Sequence, residues 1–136
     1  MKSILALLLS FCTCLALAQD TLCVVQVSHI EKKLNIKLTQ DPYILSTLNL
    51  DSDFRFSGQV LQDSVTKQIK LKTFVYHESK DRYVLIHASE NKLDTVTCAS
   101  GKNATQEFGL HRVYSHKFEH ELSYSCKSTC AVGVLQ

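Results

Sequence analysis

Four side chains in the middle of the sequence have the types that acid–base hydrolysis requires: His77, Glu78, Arg82 and His87. Cleavage of RNA or of a glycan needs a base, an acid and a cation near the scissile bond. On a β-strand, however, His77 and Glu78 would point to opposite faces. We therefore favour a hairpin with a charged tip over residues 76–82, and a small secreted hydrolase of ribonuclease type is the alternative.

The other histidines show no metal-ligand spacing. His116 and His120 would share one face of a strand, but positions i and i+4 are about 13 Å apart along a strand, too far for two ligands of one ion. The sequence also lacks the G-x-S-x-G and H-E-x-x-H motifs. It predicts neither a metal site nor a cofactor, and it favours a protein that is not an enzyme.

The N-terminus has the three parts of a secretory signal peptide. Lys2 precedes the apolar run ILALLLSFCTCLAL at 4–17, and Ala16-x-Ala18 predicts cleavage before Gln19. The apolar run is shorter than the roughly 20 residues that a membrane-spanning helix needs. We expect residues 1–18 to be removed and residues 19–136 to form a single secreted β domain without a membrane span.

Size and charge restrict the classes of function. Removing 18 of 136 residues leaves 118, which is the length of one domain. The sequence has 15 Lys and Arg against 13 Asp and Glu, without a basic cluster. Because nucleic-acid-binding domains usually show such a cluster, the charge gives no strong nucleic-acid signal.

Cysteine usage indicates an oxidising compartment. Two of the six cysteines lie in the predicted signal peptide, and an even number in a secreted chain indicates two disulfides. The four that remain are Cys23, Cys98, Cys126 and Cys130. We predict Cys23–Cys130 with Cys98–Cys126, because long closed loops remove the most entropy from the denatured chain. A local Cys126–Cys130 bridge is the alternative.

Asn103-Ala104-Thr105 is the one N-x-[ST] sequon of the chain. It lies in a predicted polar turn, where a glycan would be accessible. Asn103 is therefore a candidate N-glycosylation site if the chain is secreted by a eukaryotic cell. An unmodified turn asparagine is the alternative.

The repeated feature of the mature chain is period-two alternation, which is typical of half-buried strands. The alternation is clearest over residues 116–127 and recurs over 33–38, 54–60 and 65–77. As a strand, residues 116–127 would have one apolar and one polar face. The predicted core side chains are Phe118, Leu122 and Tyr124, and the predicted solvent-facing ones are Glu119, Glu121 and Ser123.

Polar turn signals separate these segments, and no long amphipathic helix is evident. Many short strands with such turns indicate a sandwich or a barrel. We predict an all-β fold, an antiparallel β-sandwich or small closed barrel of about seven to nine strands, stapled by disulfides.

The layout of the chain resembles that of the small secreted effectors of plant-associated fungi. The shared features are a signal peptide, a short mature chain, cysteines near both ends, a β-rich core and no catalytic motif. Around Cys23, TLCVVQ departs from the Y-x-C signature of the ribonuclease-like effectors. The resemblance implies a host-directed effector or toxin-like virulence protein.

The leading expectation for function is a secreted non-enzymatic protein that binds a macromolecular partner, namely an extracellular or host protein. Besides the hydrolase, the other alternative is an extracellular carrier of a small apolar ligand. A β-barrel with an empty apolar cavity would favour the carrier, and an exposed apolar patch would favour the binding protein.

Overall fold

The computed structural model describes residues 15–50, 53–93, 104–116 and 119–134, with side chains from residue 20 to residue 129 of these ranges except residue 104. Within these residues the chain forms strands and no helix, which confirms the all-β prediction. The strands are β1 Leu15–Val27, β2 Ile30–Thr39, β3 Ser46–Asn49, β4 Phe54–Gln62, β5 Ile69–Ser79, β6 Arg82–Lys92, β7 Ala104–Ser115 and β8 His120–Val134. Within the same ranges, no helix is long and apolar enough to cross a membrane.

The strands form one sheet that curls into a nearly closed barrel. Its order is β6-β5-β4-β2-β1-β8-β7, with β3 paired to β4 beside this path. All pairs are antiparallel except β2–β4, whose short parallel contact joins residues 38–39 to 60–61. The edge strands β6 and β7 face each other, and the Gln106 side chain donates a hydrogen bond to the Lys92 carbonyl across this seam at 3.2 Å.

Alternation along the strands builds the core. On β5 the residues at 69, 71, 73 and 75 are buried, whereas those at 70, 72, 74 and 76 are half-exposed. The inward residues of all strands pack into one apolar cluster, as expected when one sheet face is dry and the other wet. Its largest fully buried side chains are Tyr124, Phe54, Phe56, Leu71 and Leu122.

The strand predicted over 116–127 is interrupted by a turn. β7 ends at Ser115, β8 begins at His120, and the two residues pair with each other. Leu122 and Tyr124 are buried, and Glu119 and Glu121 are exposed, as predicted. Ser123 is half-buried, and Phe118 lies outside the described residues.

Several turns use side-chain-bearing residues where glycine is the usual choice. Glu119 has φ 52°, and Lys80 and Asp81 of the β5–β6 hairpin have φ 49° and 64°. Two consecutive residues with positive φ define the type I′ turn, which normally favours Asn-Gly. These turns therefore carry no glycine signal, which explains why alternation predicts a strand from residue 116 although β8 begins at His120.

The predicted disulfide pairing is wrong in detail. Cys23 of β1 bonds Cys126 of β8, so Cys23 does pair with one of the two C-terminal cysteines. The two residues are directly opposite in the register, both side chains point inward, and their Cα atoms are 4.0 Å apart. Cys130 pairs instead with Gln19, about 13 Å further along the strands, which is beyond disulfide reach. Cys98 lies outside the described residues.

The first strand overlaps the predicted signal peptide. Backbone pairing with β8 runs from Leu15↔Val134 through Ala18↔Ala131 before it reaches Gln19. From Asp20 onward β1 also pairs with β2, so the doubly paired part of β1 lies within the predicted mature chain. Cleavage before Gln19 stays a prediction.

Candidate functional site

The structure separates the four candidate catalytic residues. His77 on β5 and His87 on β6 lie on the inner face. His87 is directly opposite the buried Val75, and His77 is two residues beyond Val75 on the same strand. Glu78 is exposed on the outer face, and Arg82 is exposed at the start of β6. The His77 Nδ1 atom is hydrogen-bonded to Ser115 Oγ on β7 at 3.3 Å. The four side chains therefore do not converge on one point.

His87 belongs to a polar cluster around Tyr124, which is only 1% exposed. The Tyr124 hydroxyl is 2.8 Å from Thr73 Oγ1, 2.8 Å from His87 Nε2 and 3.2 Å from Ser89 Oγ. Thr73 and Ser89 are also hydrogen-bonded to each other. We call Thr73, His87, Ser89, His111 and Tyr124 the tyrosine cluster. It links β5, β6, β7 and β8 through side chains.

Aromatic packing completes the tyrosine cluster. The His111 ring stacks on Tyr124, with centroids 4.8 Å apart and planes 13° from parallel, and Phe56 packs on Tyr124 at 4.9 Å. His87 and His111 face each other across the seam, with ring centroids 5.7 Å apart. Burial, and then repulsion from His111, lower the pKa of His87 below its usual value. The cluster therefore favours a neutral imidazole at His87 and closes the seam between β6 and β7.

Metal binding finds no support in the described part of the chain. No group of three His, Cys, Asp or Glu side chains there is placed to hold an ion. The imidazoles of His87 and His111, with ring centroids 5.7 Å apart, both contact Tyr124, His87 through a hydrogen bond and His111 through a ring stack.

A second candidate site is the loop between β2 and β3, at one end of the barrel. We call residues 40–45 the apolar loop. The backbone N–H of Asp41 donates to Thr39 Oγ1 at 3.0 Å, and the N–H of Tyr43 donates to Asp41 Oδ1 at 2.9 Å. Such side-chain-to-backbone bonds are typical of turns that Asp and Thr stabilise.

The buried Gln59 side chain on β4 is hydrogen-bonded to the backbone of this loop. Gln59 is 4% exposed, and its amide nitrogen donates to the carbonyls of Pro42 at 2.9 Å and Ile44 at 3.0 Å. The same nitrogen is 3.4 Å from the Asp41 carbonyl. Because a buried amide must find acceptors, these hydrogen bonds tie the loop to β4.

The loop that is held so firmly exposes apolar side chains. Tyr43 is 91% exposed, Ile44 55% and Leu45 43%. In the neighbouring loop between β4 and β5, Val65 is 88% exposed. The parallel contact between β2 and β4 places both loops at the same end of the barrel. We call Tyr43, Ile44, Leu45 and Val65 the apolar end.

The β4–β5 loop is also held by its own side chains. Asp63 Oδ1 accepts hydrogen bonds from the backbone N–H groups of Val65 and Thr66, both at 2.8 Å. These two bonds, led by that from Thr66, lower the pKa of Asp63. The exposed Val65 is thus presented by an ordered turn.

The alternation pattern does not predict the apolar end. The short strand that follows the loop covers only Ser46–Asn49. Thr39, Asp41 and Pro42 before an apolar tripeptide are a turn signal that could have indicated the loop. Asn103 lies outside the described residues.

Comparison with known proteins adds no assignment to these two sites. No protein family, curated protein or solved structure gives a significant match to this chain.

Proposed function

We propose that this chain is a secreted non-enzymatic protein that binds another protein through its apolar end. The observation that carries the proposal is the exposure of Tyr43, Ile44 and Leu45 on a loop whose carbonyls are bonded by the buried Gln59. Apolar side chains scattered on a surface are ordinary, but three in succession on a fixed loop make a contiguous patch. The chemistry that fits them is an apolar cleft on the partner.

Preorganisation strengthens this interpretation. A flexible loop must lose conformational entropy on binding, whereas a loop already held by hydrogen bonds loses little. Tyrosine is also among the residues that most often dominate the energy of protein interfaces. We therefore expect Tyr43 to contribute the largest share of the affinity.

Other features support the non-enzymatic and secreted parts of the proposal. Glu78 lies on the face of β5 opposite to His77, and Arg82 is exposed in the hairpin at the start of β6. The disulfide is compatible with an extracellular protein. A host-directed effector role is the concrete form that we propose, on the basis of the sequence layout.

The test compares two variants in quantitative affinity capture followed by titration with the purified partner. Tyr43→Ser/Ile44→Ser removes exposed apolar groups from the apolar end. The matched control, Leu110→Ser/Tyr114→Ser, removes similar groups on β7, where they are 60% and 52% exposed. We expect the first variant to weaken binding by about 30-fold or more, which corresponds to a loss of about 2 kcal/mol, and the control to bind as wild type.

Both variants should melt close to wild type, because the replaced side chains are exposed. A partner whose affinity is unchanged by the apolar-end variant would refute the proposed site. N-terminal sequencing of protein from the culture medium tests the secreted part, with Gln19 expected as the first residue.

A further inference from the structure

Three lysines, Lys70, Lys72 and Lys92, lie close together on the outer face of β5 and β6. Lys70 and Lys92 are directly opposite each other in the register, and Lys72 is opposite Glu90. Like charges at directly opposed positions destabilise a sheet. Lysines often protect edge strands from aggregation, which accounts for Lys92 on β6, but β5 is flanked by strands on both sides.

Glu90 compensates only part of this charge. The Lys70 ammonium contacts the Glu90 carboxylate at 2.9 Å. This hydrogen bond, with the nearby charges of Lys72 and Lys92, holds the pKa of Glu90 below its usual value. Lys72 and Lys92 make no ion pair with any described residue. Two ammonium groups therefore remain available beside one carboxylate.

An apolar depression adjoins these charges. Phe74 is opposite the small Ala88 in the β5–β6 register, and the space between them opens to solvent. The depression has a volume of about 260 Å³ and is lined by Lys72, Phe74, Ala88, Ser89 and Glu90. This is slightly below the range of pockets for drug-sized molecules, so it suits a unit the size of one sugar ring.

We propose that this depression binds an anionic saccharide, such as a sulfated sugar of a glycan chain. Phe74 offers an apolar face to the sugar ring, and Lys72 and Lys92 offer donors to a sulfate or carboxylate group. Glu90 accepts hydrogen bonds from sugar hydroxyls. A phosphodiester backbone would present mainly acceptors to that carboxylate, which favours a saccharide over a nucleic acid. The site is built on the outer face of β5 and β6 from residues other than those of the apolar end, and it does not rest on the proposed function.

The test is a titration of the purified chain with a heparin-derived hexasaccharide, its desulfated counterpart and single-stranded oligothymidine. We expect the sulfated hexasaccharide to bind most tightly. Lys72→Gln/Lys92→Gln should weaken this binding about tenfold, as expected for the loss of two charged contacts. The matched control is Lys33→Gln/Lys37→Gln, which removes the same charge from exposed positions on β2 and should change binding less than about twofold.

A second variant tests the apolar half of the site without altering its charge. Ala88→Val fills the depression at an exposed strand position where valine is well tolerated, and it should also weaken binding. Three results would overturn the proposal: the same loss in both lysine variants, unchanged binding by Ala88→Val, or tighter binding of the oligothymidine. Absence of hexasaccharide binding by the wild-type chain would overturn it as well. The melting temperature of each variant confirms its fold.

Discussion

Replacing Tyr124 by phenylalanine tests whether the tyrosine cluster stabilises the barrel through its hydroxyl. The ring would keep its packing against Phe56 and His111. The substitution removes the Tyr124 hydroxyl oxygen, which has three hydrogen-bond partners. Two of them, Thr73 and Ser89, keep their hydrogen bond to each other. His87 loses its 2.8 Å partner, but it is half-buried and can bind water at the seam.

The cost of Tyr124→Phe follows from these contacts. A buried hydrogen bond contributes about 1 kcal/mol, and a buried group left without a partner adds to that cost. Because Thr73 and Ser89 keep each other as partners and His87 can bind water, we expect a loss of only about 1–2 kcal/mol in the free energy of unfolding. For a domain of this size, that corresponds to a decrease of about 4–8 °C in melting temperature.

Urea and thermal unfolding at pH 7 measure this effect. The control is Tyr43→Phe, which removes the same hydroxyl from a side chain that is 91% exposed and should leave stability unchanged. The double variant with His87→Gln should cost less than the sum of the two single variants, because both changes remove one shared bond. If Tyr124→Phe melts together with wild type, the hydroxyl network does not stabilise the barrel and the reasoning fails.

Three further perturbations have expected directions. The pKa of His87 is lowered in the folded state, so its contribution to stability is complete above about pH 6.5 and decreases as the pH falls below that value. Urea unfolding between pH 8 and pH 5 should therefore show a decrease in the free energy of unfolding, and His87→Gln should make that decrease smaller. Reduction of the disulfide that closes 103 residues should lower the free energy of unfolding by about 4–5 kcal/mol in the chain-entropy model. Urea unfolding with and without reductant measures this loss, and a value below about 1 kcal/mol would contradict the expectation. Lys80→Asn/Asp81→Gly supplies the residues that a type I′ turn favours and should raise the free energy of unfolding by about 0.5–1 kcal/mol, whereas a lower melting temperature would refute the turn assignment.

Alternation predicted the faces of β8 but not its beginning. Leu122 and Tyr124 are inward because every second residue must meet the core, and this holds wherever the strand starts. The turn before His120 could not be seen, because Glu119 adopts a positive φ without being glycine. The strand ends are therefore set by pairing with β7, which the local sequence does not encode.

The disulfide and the tyrosine cluster depend on contacts between distant segments. Loop entropy hardly distinguishes Cys126 from Cys130 as the partner of Cys23, because closing 103 residues or four more costs almost the same. Strand register decides between them. Similarly, His87 meets Tyr124 only because β6 and β8 approach the same seam, and composition and spacing carry no record of that approach.

The disulfide between β1 and β8 also affects how the chain responds to proteolysis. Every turn from residue 28 to residue 119, including the exposed loops that carry Tyr43 and Val65, lies between Cys23 and Cys126. A protease that cuts one of these loops produces two pieces that remain covalently joined. A nicked molecule would therefore run as one species without reductant and as two fragments with it. It could also keep its barrel after a cut, because both pieces stay at a high effective concentration.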